Sequence, residues 1–237
     1  MKRSGNHVVA RWFTELSGRC FVNNFVPISR NGILRVELPK PRDYLRWVFR
    51  HVRTGKCRNP FSHLLSLEDL PLDWSPFRQS PSLTLLVIRS PLNMFASRLQ
   101  KGFKTSNPAY PVTRGETLNS QVEMWKSYAR AGLEPDKGNN KVVILFDEFV
   151  ANTAYRRKTA GFARVKFGLE PDMSAISPEG GGSSFTGTEG NADLGFISDV
   201  ISRANFLDGP ARAVLEDITA DEELGRLWES LLSKFAV

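Results

Sequence analysis

The stretch Leu83-Thr84-Leu85-Leu86-Val87-Ile88 runs directly into Arg89-Ser90-Pro91-Leu92-Asn93-Met94-Phe95-Ala96-Ser97-Arg98. A continuous apolar run of this kind fits a β-strand covered on both faces. Pro91 then suits the first turn of a helix, where its missing N–H costs nothing. A second such run, Val142-Val143-Ile144-Leu145-Phe146, ends in Asp147 and Glu148 and precedes a helix predicted from about Thr153 to Phe167. Strands alternating with helices form βαβ units around a mostly parallel sheet. Such sheets bind ligands at the carboxyl ends of their strands. Arg89 and Ser90 after one strand, and Asp147 and Glu148 after the other, mark where chemistry is expected.

The reading extends outward from these strands. Val8, Val9, Trp12, Phe13 and Leu16 recur at helical spacing, and Gly18 closes that segment. Cys20 to Val26 is rich in strand formers. Pro41 opens an amphipathic helix with Tyr44, Leu45, Val48 and Val52 on its apolar side. Lys56 to Ser82 reads as loop-rich and Lys104 to Gly115 as a polar loop, followed by a helix from about Thr117 to Ala131. Ser177 to Gly195 is Gly/Ser-rich and turn-like. Two or three helices finish the chain, the last with Leu224, Leu227, Trp228, Leu231 and Leu232 in register. The 237 residues suffice for one α/β domain, and no repeat or boundary divides them. With 41% apolar and 11% aromatic residues, the composition is that of a globular chain rather than a disordered one.

Two groups of residues carry chemistry. Lys2-Arg3-Ser4-Gly5-Asn6-His7 places basic side chains and a glycine at a helix start, where free N–H groups and the positive helix end attract an anion. The Gly-Lys-Ser/Thr ending of a Walker A loop is missing, which disfavours a nucleoside triphosphatase. The bland alternative is a charged segment before an ordinary capped helix. In the second group, Ser97 follows Arg89 by eight residues, about two turns into the helix. A guanidinium fork plus a hydroxyl suits a doubly charged phosphate. An Arg at a strand end and a Ser on a polar helix face would leave the same trace.

Together the two groups resemble the family of sulfotransferases dependent on 3′-phosphoadenosine 5′-phosphosulfate (PAPS). In that family a loop of the form Pro-Lys/Arg-Ser-Gly-Thr opens a helix and cradles the 5′-phosphosulfate. A later strand ends in Arg-Asp/Asn-Pro, with a Ser eight residues after the Arg, and these two hold the 3′-phosphate. Lys2-Arg3-Ser4-Gly5-Asn6 is similar to the first element, and Arg89, Pro91 and Ser97 are similar to the second. Val142 to Glu148 looks like the family's later strand with its acidic turn. Ser183-Ser184-Phe185 is similar to the Thr-Ser-Phe segment against the adenine. Three departures stand out. No strand precedes the Lys2 loop, Asn6 and His7 stand where Thr is commoner, and the family's Arg-Lys-Gly has no counterpart except Arg203.

The resemblance implies a P-loop NTPase-like sulfotransferase fold over residues 1–237, a single domain with a helical C-terminal part. It implies PAPS as cofactor, adenosine 3′,5′-bisphosphate as product, and no metal. Sulfuryl transfer asks for an acceptor in line with the leaving phosphate and for a cation on the bridging oxygen. Arg3 is the candidate for that cation, with Lys2 beside it. Ser4, Gly5, Asn6 and His7 would serve the 5′ end, Arg89 and Ser97 the 3′-phosphate, and Ser184 and Phe185 the adenine, with Arg203 a possible substitute for the family's Arg-Lys-Gly in binding the cofactor. His63, in Phe61-Ser62-His63-Leu64, lies where many members carry a catalytic His and is the candidate base for a hydroxyl (or amine) acceptor. A lone loop His hydrogen-bonded to backbone is the plainer reading of it, with Glu68 in reserve as base and His51 structural.

The acceptor, a small molecule or glycan, would meet the loops Asn24 to Lys40, Lys56 to Ser82 and Lys104 to Gly115. Arg42, Arg46, Arg50 and Arg53 form one stripe, either a solvated face or a contact for an anionic acceptor. Two other functions are expected alternatives: a nucleotide-dependent kinase, and a non-catalytic basic nucleotide- or nucleic-acid-binding protein on the same fold. Aromatics do not interleave with the basic run, so nucleic acid is not the expected partner. The formal charge of +7 selects anionic ligands and nothing finer. Two cysteines, Cys20 and Cys57, suit two free thiols in a reducing compartment. No apolar run of about 18 residues and no signal-peptide stretch at Met1 to Val9 is seen, so a cytoplasmic protein without a membrane span is expected.

Overall fold

In chain order the elements are α1 (Asn6–Ser17), β1 (Arg19–Val22), β2 (Pro27–Arg30), β3 (Ile33–Val36), β4 (Asn59–Leu65), β5 (Thr84–Ile88), α2 (Pro91–Gln100) and α3 (Leu118–Leu133). There follow β6 (Lys141–Leu145), α4 (Phe146–Ala151), α5 (Thr153–Phe162), a 3-10 turn (Arg203–Phe206), α6 (Gly209–Thr219) and α7 (Glu222–Phe235). The structure, a computed structural model, describes residues 6–17, 19–22, 27–30, 33–36, 59–65, 83–100, 118–135, 141–171 and 200–236. The architecture is α/β with helices predominating. Among the described residues the strands pair two by two. β5 and β6 run parallel with Ile88 beside Leu145, β1 and β4 run parallel with Cys20 beside His63, and β2 and β3 are antiparallel.

Several sequence expectations are corrected. Asn59–Leu65 is a seven-residue strand inside the stretch read as loop, because it finds a parallel partner in β1 that local sequence cannot show. Asn24 to Lys40, read as an acceptor loop, contains the β2–β3 pair. The second apolar strand ends at Leu145, one residue early, and Phe146 opens α4 instead. The helix expected to reach Phe167 stops at Phe162, where Arg164 adopts a left-handed φ of 54° and reverses the chain. Both apolar strands were expected to be covered on two faces. β6 is buried from Val142 onward, whereas β5 buries Leu86 and Ile88 and leaves Thr84 exposed. The helix opened by Pro41, the Arg42–Arg53 stripe, the Lys104–Gly115 loop and the Ser177–Gly195 stretch lie outside the described residues.

Capping explains how the second half is laid out. Asn152 accepts the N–H groups of Ala154 at 2.9 Å and Tyr155 at 3.2 Å, satisfying two orphan donors at the start of α5. The Arg156 guanidinium donates to the Phe149 and Val150 carbonyls at 2.7 and 2.9 Å and pairs with Glu170, tying off the end of α4. Trp12 of α1 sits edge-on to Phe149 with ring centroids 5.1 Å apart and also touches Phe167. That contact anchors the first helix to the chain beyond β6. α3 lies close over β5 and α7: a methyl at Gly132 would stand 3.0 Å from Ile88 Cδ1 and 3.3 Å from Leu231 Cδ2.

Lys126 locks α3 to α7. Its buried ammonium lies 2.7 Å from Asp221, 3.1 Å from Glu123 and 3.2 Å from Glu223. Asp221 also caps α7 by accepting the Leu224 N–H at 3.0 Å. The bond from Lys126 holds the Asp221 carboxyl below its ordinary 3.8, and the bond to Asp221 holds the ammonium above its ordinary 10.5. The carboxylate's contribution is thus present above about pH 4 and lost as pH falls through its lower folded value. The ammonium's contribution is present below its ordinary pKa and lost as pH rises past it. Lys126→Met should cost about 1–2 kcal/mol, a Tm fall of roughly 2–8 °C. In thermal unfolding the gap between variant and native chain should be flat from about pH 5 to 9 and narrow below about pH 4.

Candidate functional site

The parallel register that sets Ile88 beside Leu145 delivers Arg89 and Phe146 side by side at the carboxyl ends of the two strands. The Arg89 guanidinium lies 5.1 Å from the Phe146 ring centroid, a cation stacked on an aromatic face. Trp125 of α3 donates its indole N–H to the Arg89 carbonyl at 3.0 Å, fixing the backbone where the strand gives way to α2. One residue further along, the Asp147 carboxylate accepts the Ser90 backbone N–H at 2.7 Å. A negative group at the start of a helix is favoured by the helix dipole. Ser90 in turn accepts the Met94 N–H at 2.9 Å, so the first turn of α2 is well formed.

Polar side chains concentrate along this strand–helix unit. Arg89, Ser90, Asn93, Ser97, Arg98 and, from α3, Gln121 are all buried. Arg98 donates to Gln121 at 2.6 Å. Asn93 and Ser97 are four apart on one side of α2, and with Arg89, two residues before the helix, they face the segment Val200 to Arg203. Three bonds join the two. Arg89 donates to the Val200 carbonyl, Asn93 donates to the Ile201 carbonyl, and Arg203 donates to the Ser97 hydroxyl at 2.7 Å. Ser97 is 0% exposed and Arg203 7%. Ser97 therefore does not stand on a solvated helix face, the plainer reading of it from sequence.

Of the residues expected in a site, Arg89, Ser97 and Arg203 converge although Arg203 lies 106 residues beyond Ser97. His63 is on β4 and Asn6 and His7 open α1, but their side chains fall outside the described residues. Lys2, Arg3, Ser4, Gly5, Glu68, Ser184 and Phe185 lie outside the described residues altogether. Sequence reasoning missed Asn93 and gave Asp147 no partner. The four-residue spacing Arg89–Asn93–Ser97 was the available signal. The bond from Asn93 to Asp147, 3.1 Å across 54 residues, left no local trace.

The junction between β6 and α4 rests on Tyr155. Its buried hydroxyl accepts the Leu145 N–H at 2.9 Å, and burial pushes the phenol up to about 12, so the O–H stays neutral. Removing that oxygen strands a buried N–H immediately before Phe146 and Asp147. Tyr155→Phe should destabilise the fold by about 1–3 kcal/mol, measured by chemical denaturation, with no change in the slope against denaturant.

Among the described residues no helix is long and apolar enough to cross a membrane. Set against family models, curated proteins and solved structures, the chain matches none of them.

Proposed function

We propose that the chain is a sulfotransferase that moves a sulfuryl group from PAPS to a hydroxyl (or amine) of a small-molecule or glycan acceptor. The observation that carries this reading is the buried meeting of Arg203 and Ser97 on the helix that begins just after Arg89. The resemblance assigns Arg89 and Ser97 to the 3′-phosphate and offers Arg203 as a substitute for the family's Arg-Lys-Gly. The donor set fits that group. Two guanidinium forks and a hydroxyl supply several charge-assisted hydrogen bonds, which a phosphate dianion accepts better than a carbonyl does. Arg89 and Arg203 would hold the 3′-phosphate beside Ser97. Arg3 and Lys2 would face the bridging oxygen, with Ser4, Gly5, Asn6 and His7 around the 5′ end and Ser184 and Phe185 against the adenine. The cofactor, when bound, supplies the activated sulfuryl group. The acceptor oxygen (or nitrogen) would displace the phosphate in line at sulfur, with His63 taking the acceptor's proton. The fold on this reading is P-loop-like.

Titration calorimetry with adenosine 3′,5′-bisphosphate, AMP and ATP tests the reading without an acceptor. The bisphosphate should bind selectively; equal binding of all three, or binding of none, overturns the assignment. Arg89→Ala should weaken bisphosphate binding roughly 10- to 100-fold and leave AMP, which has no 3′-phosphate, nearly unaffected. With labelled PAPS and an acceptor in hand, His63→Ala should abolish turnover while bisphosphate affinity stays within about twofold. Loss of binding in that variant would instead make His63 a cofactor or structural residue.

A further inference from the structure

Asn93 is buried, and its amide donates in two directions: to Asp147 Oδ1 at 3.1 Å and to the Ile201 carbonyl. Its own oxygen accepts no hydrogen bond. A buried amide used wholly as a donor is a strut between two acceptors, and burying it is tolerable only while both bonds hold. One acceptor belongs to the β6–α4 junction, where Asp147 also takes the Ser90 N–H at 2.7 Å. The other belongs to the segment that carries Arg203, whose guanidinium reaches Ser97 one turn further along α2. The chain of contacts is therefore Asp147 to Asn93 to Ile201, and from Ile201 through two residues of backbone to Arg203.

We propose that Asn93 and Asp147 are positioning residues: they pin the Val200–Arg203 segment to α2 and so hold the Arg203 guanidinium at Ser97. The binding consequence rests on the sulfotransferase reading above. It is that this pair tunes the preference for a nucleotide bearing a 3′-phosphate, acting through Arg203 and not on the ligand directly. A residue that only supports the fold would lower affinity for every nucleotide alike. A residue acting through Arg203 lowers the preference alone, and only when Arg203 is present.

The experiment is a double-mutant cycle on the ratio of AMP to adenosine 3′,5′-bisphosphate dissociation constants, using Asn93→Ala, Arg203→Ala and the double variant. Asn93→Ala should reduce the ratio on the order of tenfold in the native background and by less than about twofold when Arg203 is already alanine. Equal reductions in both backgrounds, or none in either, overturn the proposal. Asp147→Asn keeps an acceptor oxygen and the shape of the side chain, and it should show the same pattern with a smaller loss; it serves if Asn93→Ala does not fold. A native chain that binds both nucleotides alike would sink the sulfotransferase reading and leave the strut to a second readout, amide hydrogen exchange. Faster exchange confined to residues 200–206 in Asn93→Ala supports the strut, and unchanged protection there refutes it.

Discussion

The pairing of β5 with β6 is the constraint from which the site follows. Parallel strands in fixed register end together, so the residues after Ile88 and after Leu145 are neighbours whatever the rest of the chain does. Arg89 then stacks on Phe146, and Asp147 reaches the N–H of Ser90. Both strands turn into helices at once, through Pro91 on one side and Phe146 on the other. Three residues on two helices hold that geometry from outside: Trp125 through the Arg89 carbonyl, Tyr155 through the Leu145 N–H, and Gly132 by letting α3 approach Ile88. A shift of one residue in the pairing would move every one of these contacts.

Among the described residues, some buried cations pair with carboxylates and others donate to neutral oxygens. Lys126 and Arg156 are tied to carboxylates, Asp221 with two glutamates in one case and Glu170 in the other. Such pairs offset the cost of burial with permanent counter-charges and lock helices in place. Arg89 and Arg203 donate to a backbone carbonyl and to a hydroxyl.

What was legible in the sequence is what local pattern encodes. The runs Leu83–Ile88 and Val142–Leu145 declare strands, Pro91 declares a helix start, and the eight-residue step from Arg89 puts Ser97 about two turns into α2. Strand β4 was illegible because Asn59-Pro60-Phe61-Ser62 has loop composition, and only its pairing with β1 makes it extended. The early end of α5 was missed because Ala163-Arg164-Val165 continues the helical pattern. The left-handed turn at Arg164 comes from the backbone bonds of Arg164 to Gly161 and Val165 to Ala160, not from a glycine. Arg203 was visible only by resemblance, since nothing in Ile201-Ser202-Arg203 points 106 residues back to Ser97.

The distribution of contacts along α2 carries one more consequence. Arg89 just before α2, and Asn93 and Ser97 one turn apart on it, present a cation, an amide and a hydroxyl, and each engages a different point of residues 200–203. Three bonds spread over two helical turns fix a segment's rotation as well as its distance, which a single bond cannot do. The price is that α2 has no freedom there: a slip of one residue would place Leu92 or Met94 against the Ile201 carbonyl and leave a buried acceptor unmet. The orientation of Arg203 is thus set by several groups at once, Asn93 among them.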